Sequence, residues 1–118
     1  MESKSAILAL AALAQSTRLH VFRLLVKHEP EGLPAGDIAR ELGIPHNTMS
    51  SHLGILSRAG LVRSERRSRS IIYRADLARF REVATFLLQD CCGGHPDVCT
   101  PILDVLTPCC PPKETADG

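Results

Sequence analysis

A mainly α-helical fold with one small β-hairpin is what the sequence predicts, on three observations. Aromatic residues make up 3% of the 118 residues and tryptophan is absent, so a core must be built from Leu, Ile, Val and Ala, which favours helices. Apolar side chains recur at helical spacing in separate stretches between residues 3 and 91, divided by Pro and Gly signals. One stretch, residues 61–74, instead carries β-branched and aromatic residues in two short halves, split by Arg66-Arg67-Ser68-Arg69. A hydrophobic share of 44% and a charged share of 23% exclude a chain disordered throughout, and the length allows one domain. No apolar run reaches the length of a bilayer, and the first residues lack the basic start and long apolar stretch of a signal peptide. A cytosolic protein without a membrane partner is expected.

The elements follow in order. Residues 3–14, rich in Ala and Leu, predict a helix whose apolar surface is too wide for a monomer. Gln15-Ser16-Thr17 offers a hydroxyl cap for a second helix, with Leu19, Phe22, Leu25 and Val26 inward and Arg18, Arg23 and Lys27 outside. Pro30, Gly32 and Pro34 end it in a loop. A short helix fits 35–42, with Ile38, Ala39 and Leu42 inward and Gly43 as its stop. Pro45 suits the start of a further helix, which runs to about Arg58 before Gly60 stops it. Strands at 61–65 and 70–74 flank a basic tip at 66–69. Leu77, Phe80, Ala84, Leu87 and Leu88 then define a last amphipathic helix towards Cys91. Beyond Cys92 the chain is rich in Pro and Gly, and apart from a turn of helix within 102–106 it reads as irregular.

Charge is unevenly spread. Residues 1–39 are neutral overall, residues 40–81 carry nine arginines against three acids, and residues 82–118 carry one lysine against six acids. A basic middle within a chain of net charge +1 points to one polyanion-binding face.

Within that basic segment, a short helix, the Leu42-Gly43-Ile44-Pro45 turn and a second helix have helix-turn-helix spacing. On the second helix Met49, Leu53 and Leu56 face the core, which turns Asn47, Ser51 and Arg58 outward with Ser50 at the edge. Small hydrogen-bonding side chains on such a face suit a DNA major groove, and His46 near the helix start suits a phosphate. Arg63, Arg66, Arg67 and Arg69 crowd seven residues of the hairpin that follows, as in the phosphate-tracking wing of a winged helix.

The chain resembles the ArsR/SmtB family of metal-sensing winged-helix repressors. The likeness lies in QSTRLHVFRLL at 15–25, GDIARELGIPHNTMSSHLGILSRAGLVRSER at 36–66 and SIIYR at 70–74. The resemblance implies a homodimer held by the first and last helices, bound to a partly palindromic duplex operator and released by an inducer. It divides the chain into a winged-helix DNA-binding and dimerisation unit at 1–90 and a cysteine-rich tail at 91–118.

Members of the family hold inducers in different places. Those with a cysteine pair beside the helix-turn-helix carry it in the short helix, which here reads LPAGDIARELG without cysteine. Zinc sensors use Asp and His on the last helix, where residues 76–90 offer Asp76, Glu82 and Asp90 but no histidine. The five cysteines all fall between positions 91 and 110, and an odd number in a reducing compartment argues against a disulfide framework. Cys91 and Cys92, with Cys99 after a flexible Gly93-Gly94, are expected to bind trivalent arsenic, a soft ion suited by three sulfurs. Some arsenic-responsive members are similar in this arrangement. Cys109 and Cys110 could replace or supplement Cys99, and His95 as a fourth ligand would favour zinc or cadmium.

The expected function is a transcriptional repressor released by trivalent arsenic or antimony. Its alternatives are a zinc-, cadmium- or redox-responsive repressor of the same fold, or a cytosolic thiol protein that buffers metal. A carrier has no use for a basic wing. No nucleophile elbow, phosphate-binding glycine loop or catalytic carboxylate pair occurs, so an enzyme is not expected.

Overall fold

The computed structural model describes residues 1–88, which form five helices and a three-stranded antiparallel sheet. Helix α1 (Ser3–Leu13) buries Ala6, Ala9 and Ala12 and leaves Ile7, Leu8 and Leu10 exposed, so the excess apolar surface expected there is present.

Helix α2 (Ser16–Lys27) departs from expectation twice. Its cap is the Gln15 carboxamide, whose oxygen accepts the Arg18 N–H at 2.9 Å, because Ser16 is already helical and Gln15 is extended. Its buried side chains are Val21, Phe22 and Leu25, whereas Leu19 and Val26 are 41% and 39% exposed. At about 100° per residue, Val21, Phe22 and Leu25 centre on the same arc as Arg18, which pushes Leu19 and Val26 to the edge. Arg18 is accordingly half-buried rather than outside.

Strand β1 (Leu33–Pro34) lies where a loop was expected; it pairs with β3 (Ser70–Ala75), Leu33 opposite Tyr73. Helix α3 (Ala35–Leu42) buries Ile38 and Ala39 and stops at Gly43 in the left-handed region. Helix α4 (His46–Arg58) follows directly and buries Met49, Leu53 and Leu56 as expected. Strand β2 (Val62–Arg67) pairs with β3 from Val62 opposite Ala75 to Arg67 opposite Ser70. The hairpin tip is therefore only Ser68-Arg69, with Ser68 at φ 54°, and Arg66 and Arg67 belong to the ladder. Helix α5 (Leu77–Leu88) buries Val83 and leaves Leu87 half exposed.

One core joins these elements. Leu25, Ile38, Met49, Leu53, Leu56, Leu61 and Val83 fill it, and Phe22 meets Phe80 with ring centroids 5.7 Å apart. Each such aliphatic side chain contributes roughly 1.5–3 kcal/mol by leaving water. No charged or polar residue is fully buried among the described residues. None of their helices is by itself long and apolar enough to cross a membrane. The five cysteines and His95 lie outside the described residues, as does the expected boundary at residue 90.

Candidate nucleic-acid interface

The turn between α3 and α4 is built by local hydrogen bonds. Gly43 (φ 65°) sends its N–H to Arg40 O at 3.3 Å, and Ile44 sends its N–H to Ala39 O at 3.0 Å. This paired closure satisfies carbonyls that the end of α3 would leave bare, and it needs a residue that adopts positive φ without strain. Pro45 then launches α4, extended at φ −57° and ψ 145°.

Burying Met49, Leu53 and Leu56 dictates what α4 presents outward. His46, Asn47, Thr48, Ser50, Ser51 and Arg58 are all exposed. Asn47 Oδ1 accepts the Thr48 N–H at 2.9 Å, so the Asn47 carboxamide folds back over the first turn. His46 and Ser50 lie along the flank of α4 that faces the sheet, and they line one groove with Arg69 of the wing. Gly36, Ile71 and Tyr73 are among the other residues that line that groove. The structure thus brings together three of the expected contact residues, His46, Ser50 and Arg69, and sets Asn47 and Ser51 on the open face beside them.

The wing arginines do not act as one cluster. Alternation along β2 puts Arg63, Glu65 and Arg67 on one face and Ser64 and Arg66 on the other. On the first face Glu65 holds Arg67 at 3.5 Å and Arg74 at 3.7 Å, and Arg63 pairs with Asp76 at 3.6 Å. Arg66 lies opposite Ile71, on the face that continues through Tyr73 towards α4. Among the described residues neither Arg66 nor Arg69 is paired with a carboxylate. These two have no competing carboxylate within ion-pair distance and are open to a phosphate, while Arg63 and Arg67 already face acids.

Ile71 and Tyr73 were not singled out from sequence; the alternation in SIIYR, which turns both to one face, is the signal that finds them. Arg18 was also missed as an interior cation. Among the described residues no three His, Cys, Asp or Glu side chains gather as a metal site.

Comparisons with known proteins agree with this architecture. A family model described as a helix-turn-helix domain matches residues 13–65, from the end of α1 through most of β2. An ArsR-like transcriptional regulator from Rhodococcus sp. RHA1 superposes with a TM-score of 0.66 at 25% identity, covering 88% of this chain and 93% of that one. The homodimeric winged helix-turn-helix domain Mb0332 from Mycobacterium bovis, a possible ArsR-family regulator, gives 0.59 at 25% identity, covering 78% and 85%. A protein described as a possible transcriptional regulator for arsenical resistance gives 0.56 at 25% identity, covering 81% and 94%. A search of curated protein sequences returns no match. These similar proteins are described as transcriptional regulators or as possible ones, and with its helix-turn-helix, basic wing and matching topology the chain carries a helix-turn-helix domain in the winged-helix fold of ArsR-like DNA-binding transcriptional regulators.

Proposed function

We propose that the chain is a homodimeric repressor that leaves its operator when trivalent arsenic, or antimony, binds the thiolates of Cys91, Cys92 and Cys99. The observation that carries this reading is the position of the first two cysteines, three and four residues past Leu88 at the end of α5.

Helix α5 packs against α1, and both keep apolar side chains uncovered. Ile7 is 65% exposed, Leu8 52% and Leu87 50%. Covering them with the same surface of a second copy is the simplest way to remove that area from water, and a two-fold dimer presents two α4 helices to a palindrome. Mb0332, with the same architecture, is homodimeric. A ligand bound at the end of α5 would then act on the dimer helices and, through them, on the spacing of the reading heads. The soft thiolate set suits arsenic(III), and a structurally similar protein is described as a possible regulator for arsenical resistance.

A gel-shift titration on DNA upstream of the chain's own gene tests the proposal, with arsenite, antimonite, zinc, cadmium and peroxide added separately. Release by arsenite or antimonite alone is the expected result. Release by zinc or peroxide alone replaces the inducer, and no release by any of them removes the sensing role.

A further inference from the structure

A cation on the buried arc of a helix needs a reason, and Arg18 has one. Its Nε–H donates to Ala12 O at 2.7 Å, capping one of the carbonyls left open where α1 ends. Its Nη1 reaches His52 Nδ1 on α4 at 3.4 Å; a guanidinium only donates, so the imidazole nitrogen accepts. Its own N–H is held by Gln15. One planar group therefore touches the end of α1 and the middle of α4 at once.

His52 lies on the flank of α4 opposite His46 and Ser50, beside the outward Ser51. The apolar contacts between α1 and α4 pass through a core in which the fully buried residues of α1 are alanines, Ala9 and Ala12, with the half-buried Leu13 at its edge. Small apolar contacts are non-directional and fix the rotation of a helix about its axis poorly. A guanidinium fork is directional. Several ions on the elements packed against α4 are engaged elsewhere: Arg40 pairs with Asp37 on α3, Arg63 and Arg67 pair with acids at the wing, and α1 carries only Lys4, in its first turn.

We propose that Arg18 is a positioning residue that ties the dimer helix α1 to the recognition helix α4 and thereby sets the half-site spacing the protein reads. The proposal rests on the reading of a dimer bound to two half-sites. Spacing is sensitive to such a tie, because one base pair moves a half-site by about 3.4 Å and rotates it by roughly 35° about the DNA axis.

The test selects a palindromic duplex from a random pool with the wild-type protein, then changes the spacer by one base pair in each direction. Wild type should lose about tenfold or more in affinity on either altered spacer, comparable to one mismatched base pair. Arg18→Met, which keeps the aliphatic stem, should bind the three spacers nearly alike with an unchanged salt dependence. Arg18→Lys should behave in the same way, since one ammonium on a flexible stem does not reproduce the fork. His52→Leu removes only the α4 end of the tie and decides the matter if Arg18→Met does not fold; it should also lose discrimination, and His52→Gln, which keeps an acceptor, should retain it. Equal weakening on all spacers with the preference intact would make Arg18 a merely structural residue and overturn the proposal. A wild-type protein indifferent to spacing removes the two-half-site reading itself, and the role of Arg18 with it.

Discussion

Arg63 and Asp76 form an ion pair, with Nε 3.6 Å from Oδ2, that joins the root of the wing to the start of α5. The other carboxylate oxygen of Asp76 accepts the Arg79 N–H at 3.0 Å and caps that helix. Asp76 also sends its own N–H to Leu61 O at 2.8 Å. Asp76, one of the three acids in the basic middle of the sequence, is thus the corner where the end of α4, the wing and α5 meet.

The two jobs of Asp76 separate by substitution. Asp76→Ala loses cap and ion pair together and should cost about 1–2 kcal/mol in urea unfolding. Asp76→Asn keeps an acceptor for Arg79 and should cost clearly less. Arg63→Ala should cost under about 1 kcal/mol, because its side chain is 65% exposed and solvent screens the pair. An Asn variant as unstable as the Ala variant would show that the charge, and not the cap, supports this corner.

Salt dependence distinguishes the wing arginines. Each phosphate neutralised contributes about −0.9 to the slope of log affinity against log salt. Replacing Arg66 or Arg69 with Ala should flatten the slope by nearly that amount and weaken all sequences alike. Replacing Arg67, which Glu65 already holds, should change it less. Substituting Asn47 or Ser51 should instead shift which bases are preferred, by roughly 1–3 kcal/mol at one position, with little change in slope. Equal slopes for all the wing variants would remove the distinction between paired and unpaired arginines.

Gly32 and Gly43 both sit at positive φ, yet they should respond differently to alanine. A Cβ on Gly43 meets nothing within 4 Å, so only the left-handed backbone penalises Gly43→Ala, by about 1–2 kcal/mol. A Cβ on Gly32 would stand 2.5 Å from Tyr73 O, a backbone atom of the strand that β1 must join. Gly32→Ala should therefore cost more than Gly43→Ala and loosen the β1–β3 pairing that backs the groove lined by His46, Ser50 and Arg69. Thermal melts of the two variants, with amide exchange at Leu33 and Tyr73, check this. A milder effect at Gly32 would mean that β1 moves away at little cost.

What sequence reveals here is what is local. The recognition helix is legible because Met49, Leu53 and Leu56 repeat with the helical period and Gly43 marks the stop. Strand β1 is not, since two residues carry no alternation and their pairing partner lies about forty residues away. Arg18 reads as an outward charge because its partners, Ala12 O and His52, belong to other helices. Arg66, Arg67 and Arg69 read as one basic tip, and only the register of β2 against β3 places Arg66 and Arg67 in the ladder on opposite faces.

The last prediction separates binding DNA from responding to arsenic. Cys91, Cys92 and Cys99 all follow the winged helix in the chain, at least 22 residues beyond Arg69, the last of the groove residues His46, Ser50 and Arg69. Cys91→Ser, Cys92→Ser and Cys99→Ser should therefore leave operator affinity intact and abolish release by arsenite. Coupling of a typical 1–3 kcal/mol between the two sites would weaken wild-type binding by about 5- to 150-fold when arsenic is bound, enough to allow transcription. By reciprocity, saturating operator DNA should weaken arsenite binding by the same factor, which a thiol titration with and without duplex measures. Cys109→Ser with Cys110→Ser should keep most of the response. If that double variant is instead deaf to arsenite while Cys99→Ser still responds, the third thiolate comes from the later pair. If all five cysteines can be replaced without effect on release, arsenic does not act through thiols, and the regulator answers to another signal.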